Sequence, residues 1–176
     1  PKNSYLKSNY EIDKKIKDKL LITTNKPKVG ISWKSILNIY GKLKSLEIED
    51  FANLFDEKYS IINLQYGNVE EDLKKSKKIG LNIITLSEID LFNDLDGSLS
   101  LLKNLDAFVT ISNTTAHLAG ALGIPTALIC PKKSSTYFYW NYDQKSPWYT
   151  NIKIFKLNHS INKTMREVKE YLEKIL

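Results

Sequence analysis

The sequence predicts an α/β protein, a Rossmann-like doubly wound parallel sheet of six strands. Two observations carry the prediction. Six short apolar runs rich in β-formers alternate with stretches of helical periodicity. Most of these runs are apolar on both faces, as strands covered on each side by helices must be. Right-handed crossovers then give the strand order 3-2-1-4-5-6, with a switch point between strands one and four. At 176 residues the chain is long enough for one domain with a sizeable core.

The elements follow in order. Residues 1–25 are polar and lysine-rich, with Ile12, Ile16 and Leu20 at helical spacing. They read as a lead-in helix or linker on the flank of a domain covering 26–176. Lys28–Trp33, after the breaker Pro27, is the first strand, and Ser32–Ser35 is the polar loop that leaves it. A helix is expected from Glu47 to Phe55, with Ile48, Phe51, Ala52 and Phe55 on one face and Ser45 as a candidate cap. Tyr59–Leu64 is the second strand, and Val69–Ile79 a charged helix with Val69, Leu73 and Ile79 facing inward. Leu81–Leu86 is the third strand, followed by the acidic loop Glu88–Asp96 and a helix over Ser98–Leu105. Ala107–Ile111 and Thr126–Cys130 are strands four and five; between them lies a short alanine- and leucine-rich helix that stops at Gly123 and Pro125. Lys132–Tyr149 is aromatic and irregular. Asn151–Leu157 alternates as a sixth strand, and a closing helix carries the stripe Ile161, Met165, Val168, Leu172 and Ile175.

Composition excludes several classes. No apolar run approaches the roughly 20 residues of a membrane span, and no signal-peptide pattern opens the chain. One cysteine, Cys130, excludes an internal disulfide and suits a reducing, cytoplasmic setting. The net charge of +6 is scattered lysine with a single arginine, Arg166, which argues against a dedicated nucleic-acid binder. The fingerprint GxGxxG, the P-loop and the GxSxG elbow are all absent, so no dinucleotide cofactor or hydrolase nucleophile is expected. His117 and His159 are far apart in sequence and there is no cysteine pair, so no metal is expected either. The chain opens on proline rather than methionine, as a piece of a longer protein would.

The candidate site is the switch point. Four small polar residues, Ser112, Asn113, Thr114 and Thr115, fall where a helix N-terminus emerges from the carboxyl end of a buried strand. One of them suffices as an N-cap. The surplus, together with the unpaired N–H groups and helix dipole of that position, suits a phosphate. His117, in the first turn, can donate to the same anion, its pKa rising beside the negative charge, or can be an ordinary half-buried histidine. Ser32, Lys34 and Ser35 approach from the strand-one loop, Lys34 as a phosphate partner. Gln65, Tyr66 and the acidic loop line the rim where a base or ribose would lie, or are solvated. The aromatic loop 137–149 covers a ligand or buries Trp140 and Trp148 against a neighbouring domain.

KVGISWKS, INLQYG, SNTTAHLAGALGIPT and SPWY, in that order, resemble the C-terminal domain of bacterial GT-B glycosyltransferase-like proteins. These often carry tetratricopeptide repeats and are related to heptosyltransferases and O-linked N-acetylglucosamine transferases. The resemblance runs over roughly residues 15–157. It implies half of a two-domain fold, holding a nucleoside-diphosphate sugar donor whose diphosphate rests on the helix beginning near Thr114. Asn113, Thr114, Thr115 and His117 would then touch the diphosphate or sugar, with Lys34 neutralising charge in place of a metal. Many relatives have aspartate where this chain has Ser112. The acceptor domain, the usual source of the catalytic base, is not within these residues. The expectation is therefore the donor-binding domain of an inverting, metal-independent glycosyltransferase, inactive without an N-terminal acceptor or repeat domain. The alternative is a non-catalytic, degenerate transferase-fold module for protein interaction.

Overall fold

In a computed structural model, residues 4–36, 40–130, 140, 146–157 and 160–176 are described. Their strands form one six-stranded sheet in the order β3-β2-β1-β4-β5-β6, every pairing parallel. The strands are β1 (Lys28–Ile31), β2 (Ser60–Asn63), β3 (Ile83–Ile84), β4 (Ala107–Ile111), β5 (Thr126–Cys130) and β6 (Ile152–Lys156). Helices α1 (Tyr10–Thr23), α2 (Tyr40–Lys44), α3 (Glu70–Lys78), α4 (Leu95–Lys103), α5 (Thr114–Leu122) and α6 (Ile161–Ile175) surround them.

The pleat sends alternate strand residues to opposite faces. Val29, Ile31, Ile61 and Val109 meet Phe51, Val168 and Leu172 on one face; Ile62, Leu64 and Phe108 meet Leu20, Leu99 and Leu122 on the other. Helix α1 joins the second face through Ile16 and Leu20 and lies on α4, as its apolar spacing predicts. The central strands β4 and β5 are buried at every position. Edge strand β6 keeps Lys153 and Lys156 partly exposed, which is why it alone alternates in the sequence.

Three expectations need correction. The segment after Glu47 is a 3-10 helix, Ile48–Phe51, closed by a capping box between Glu47 and Asp50. Ser45 does not cap it: its hydroxyl donates to the Gly41 carbonyl and accepts from the Ser35 N–H. Helix α3 turns Asp72 and Ser76 inward, while Ile79 is 38% exposed. Polar partners in the loop after β1, described below, draw Asp72 inward against the aliphatic pattern. Third, β3 is two residues long and Ile175, the last residue of the α6 stripe, is 39% exposed. Of the aromatic segment, residues 131–139 and 141–145 lie outside the described residues, as does His159.

Candidate functional site

The carboxyl ends of β1 and β4 are tied together by short polar side chains. The hydroxyls of Ser32 and Thr110 are 2.6 Å apart, and the Asn113 amide donates to the Ser32 hydroxyl at 3.0 Å. Asn113 also caps α5: its side-chain oxygen accepts from the Ala116 N–H at 3.0 Å. Helix geometry leaves the other first-turn N–H groups without intrahelical partners. The residues that carry them, Thr114 and Thr115, line a cavity of about 430 Å³ that opens at this end of the sheet. At the far end of α5, Gly123 takes φ +80°, the left-handed turn that lets the chain re-enter the sheet as β5.

The strand-one loop is fixed from the other side. The Gln65 side-chain oxygen accepts from the Trp33 and Lys34 N–H groups at 2.9 and 2.7 Å. Asp72 accepts from the Trp33 indole N–H at 3.1 Å and from the Lys34 ammonium at 2.7 Å. Asp72 is buried, and this pair of donors is what draws a carboxylate to the inner face of α3.

His117 sits one turn into α5, half-buried. Its Nδ1 is 3.1 Å from the Tyr149 hydroxyl, and its ring stacks on Trp140 with centroids 4.8 Å apart. The Trp140 indole donates to Ser112 at 3.0 Å, fixing the stack to the β4 end. A Cβ added at Gly120 would lie 2.5 Å from the Tyr149 ring, so the tyrosine seats against α5 only because that residue is glycine. Burial first, and then the charge of Lys44, hold the His117 imidazole below the ordinary histidine range.

The structure thus sorts the expected residues. Ser35, Ser112, Asn113, Thr114, Thr115 and His117 line the cavity together. Ser32 and Gln65 are buried behind it, their polar atoms engaged by the protein. Lys34 is drawn to Asp72. Among the described residues the lysine that lines the cavity is Lys44, 3% exposed, its pKa pushed down by burial. Nothing in the sequence marks it out, because α2 is a five-residue helix without apolar periodicity. Tyr66, Leu91 and Phe92 form the opposite wall, so part of the acidic loop reaches the cavity through its apolar residues. Trp140 is buried within this domain and Trp148 is 54% exposed. Cys130 is a core thiol whose pKa burial raises to about 12. Among the described residues no cluster of three or more His, Cys, Asp or Glu is placed to hold a metal ion, and no helix is long and apolar enough to cross a membrane.

Sheet order defines a Rossmann-like unit with a cavity at the switch point, and comparison with solved structures places it among glycosyltransferases in fold. E. coli ADP-heptose lipopolysaccharide heptosyltransferase II superposes with TM-score 0.59 at 16% identity, covering 96% of this chain and 54% of its own. A family 9 glycosyl transferase from Veillonella parvula gives 0.60 at 14% identity, covering 97% and 51%. The C-terminal domain of a group 1 glycosyl transferase from Francisella tularensis gives 0.57 at 15%, covering 94% and 84%. The six-stranded unit is one half of the GT-B fold. In sequence, the chain is 33% identical over 137 residues to Protein FlbA of Caulobacter vibrioides, matching 73% of this chain and 22% of that protein. No protein-family model matches. The chain therefore spans about a fifth of the curated relative and about half of the E. coli and Veillonella parvula structures.

Proposed function

We propose that this chain is the donor-binding half of an inverting, metal-independent glycosyltransferase and holds a nucleoside-diphosphate sugar at the β1–β4 switch point. The observation that carries the reading is the convergence of the first turn of α5, His117 and Lys44 on one cavity. Helix N–H groups and two cationic side chains are what a diphosphate leaving group needs as it gains charge. Bound there, the diphosphate would draw the His117 pKa back up, so that the imidazolium donates to a phosphate oxygen. Lys34 reaches the same anion only by leaving Asp72, so the neutralising role falls to Lys44 and Lys34 holds the loop. Ser35, Thr114 and Thr115 supply hydroxyls to the phosphates, with Ser112 and Asn113 setting the turn. Ser32 and Gln65 support the site from behind. The partner is a second domain, of acceptor-binding or tetratricopeptide type, that supplies the base and holds the acceptor.

Calorimetry with uridine, adenosine and guanosine diphosphates tests the binding half of this reading. At least one should bind, and failure of all three would reject the donor site. Release of nucleoside diphosphate from a panel of sugar donors tests the other half. The 176-residue chain should show no acceptor-dependent turnover, since among the described residues no carboxylate lines the cavity. Robust turnover would show that the chain carries its own base.

A further inference from the structure

The cavity lining is of two unlike kinds, and only one of them suits a phosphate. Besides Lys44, His117 and the small polar residues, the wall is Ile36, Tyr66, Leu91, Phe92, Leu95 and Leu118. Phe92 and Leu95, at 61% and 58% exposed, are large apolar side chains held at the mouth. The Tyr66 and Phe92 rings face each other at 6.1 Å and 51°. Ser98, a residue of α4 only 6% exposed, also lines this cavity, and its hydroxyl is buried and makes no hydrogen bond.

A buried serine on a helix ordinarily bonds back to a carbonyl one turn earlier. Here the Asp94 carbonyl accepts the Ser98 backbone N–H, the Asp94 side chain caps the Gly97 N–H, and the Ser98 hydroxyl stays without a partner. Two other described side-chain atoms are buried and unpartnered, on Asp13 and Ser100, and neither residue lines the cavity. A buried polar group without a bond costs stability unless something else uses it.

Resting on the donor-site reading above, we propose that Ser98 is a specificity-determining residue that hydrogen-bonds the polar edge of the donor's nucleobase. The base lies against Tyr66 and Phe92. The chemistry of the surface around Tyr66 and Phe92 selects the base over the sugar. A hexose or heptose displays hydroxyls all round and needs several polar partners, whereas the apolar part of the lining offers aromatic and aliphatic surface, and Ser98 one buried hydroxyl. A flat heterocycle with a single polar edge matches it. The volume of about 430 Å³ lies within the roughly 300–1,000 Å³ of small-molecule sites.

The test is a calorimetric panel of adenosine, guanosine and uridine diphosphates and inorganic pyrophosphate, on the wild-type chain and on Ser98→Ala, with melting curves of both. The wild type should prefer one base by about tenfold or more. Ser98→Ala should lose about tenfold in affinity for that nucleotide and keep its pyrophosphate affinity within about twofold. It should melt no lower than the wild type, because the change removes an unsatisfied buried hydroxyl. Phe92→Ala, at an exposed position, should also weaken nucleotide but not pyrophosphate. Unchanged base preference in Ser98→Ala would overturn the role of Ser98. Equal wild-type affinity for all bases and pyrophosphate would overturn the base contact while leaving the phosphate site standing. Loss of pyrophosphate and nucleotide binding alike in the wild type would remove the donor site itself, and this inference with it.

Discussion

Lys34 and Lys44 leave the same loop region, ten residues apart, and meet opposite fates. Lys34 follows a buried strand into the switch-point loop, the position from which a phosphate partner is expected. It turns away instead, onto Asp72, and remains 37% exposed. Lys44 ends a five-residue helix that nothing in the sequence marks out, yet it is 3% exposed and faces the cavity beside His117. Nearness to a strand end therefore does not by itself bring a lysine to the cavity; Lys34 follows the acceptor on a neighbouring helix. A carboxylate buried at Asp72 captures the nearer ammonium and the Trp33 indole together, and so locks the loop whose far end presents Lys44.

The difference between the two lysines is open to direct attack. Lys44→Ala should have the largest effect, weakening nucleoside-diphosphate binding by about 30- to 100-fold, or about 2–3 kcal/mol, the scale of a charge-assisted contact. Lys34→Ala should change the same affinity by less than about threefold. Calorimetry on both variants decides between them, and the reverse ranking would mean that Lys34 leaves Asp72 when the ligand arrives.

A somewhat smaller effect is expected at the lock itself. Asp72→Ala strands the Trp33 indole N–H in the core, whereas Lys34, partly exposed, can turn to water. The loss should be about 1–2 kcal/mol of stability, seen as a melting point lowered by roughly 3–6 °C. Binding should also weaken as the loop loosens. A variant with wild-type melting and binding would show that the pair holds nothing.

The smallest expected effect is on the pH dependence of stability. The folded pKa of His117 is depressed, by burial and then by Lys44. Above the ordinary histidine value of about 6.5 both folded and unfolded chains are neutral there, and no stability is lost. As the pH falls through that value the unfolded chain takes the proton first, and stability declines until the folded imidazole titrates as well. His117→Asn should therefore flatten the decline between pH 7.5 and 5.5 measured by denaturant melts. Lys44→Ala should flatten it less, since burial is the larger cause. An unchanged slope in His117→Asn would show that the imidazole titrates normally in the fold.

Sequence alone determined the sheet, its strand order and the turn on which the site rests. These follow from local rules that act over a few residues. A β-rich apolar run buried on both faces admits little but a central parallel strand, and β4 and β5 have the boundaries that pattern predicts. Asn113 before an alanine-rich helix is a cap, and Gly123 after it a stop, whatever surrounds them. Tertiary structure decided which polar groups face the cavity, because that depends on partners distant along the chain. Asp72 is inward because Trp33 and Lys34, nearly forty residues earlier, offer it donors. His117 is oriented by Tyr149 and Trp140, and Gln65 is withdrawn behind the site by the N–H groups of the β1 loop. Ser98 reads in the sequence as one more polar residue on an amphipathic helix, and only the fold shows its hydroxyl buried at a cavity wall with nothing to bond. Hydrophobic periodicity records burial one element at a time, while the pairing of buried polar groups is settled between elements, where a single sequence carries no periodic trace of it.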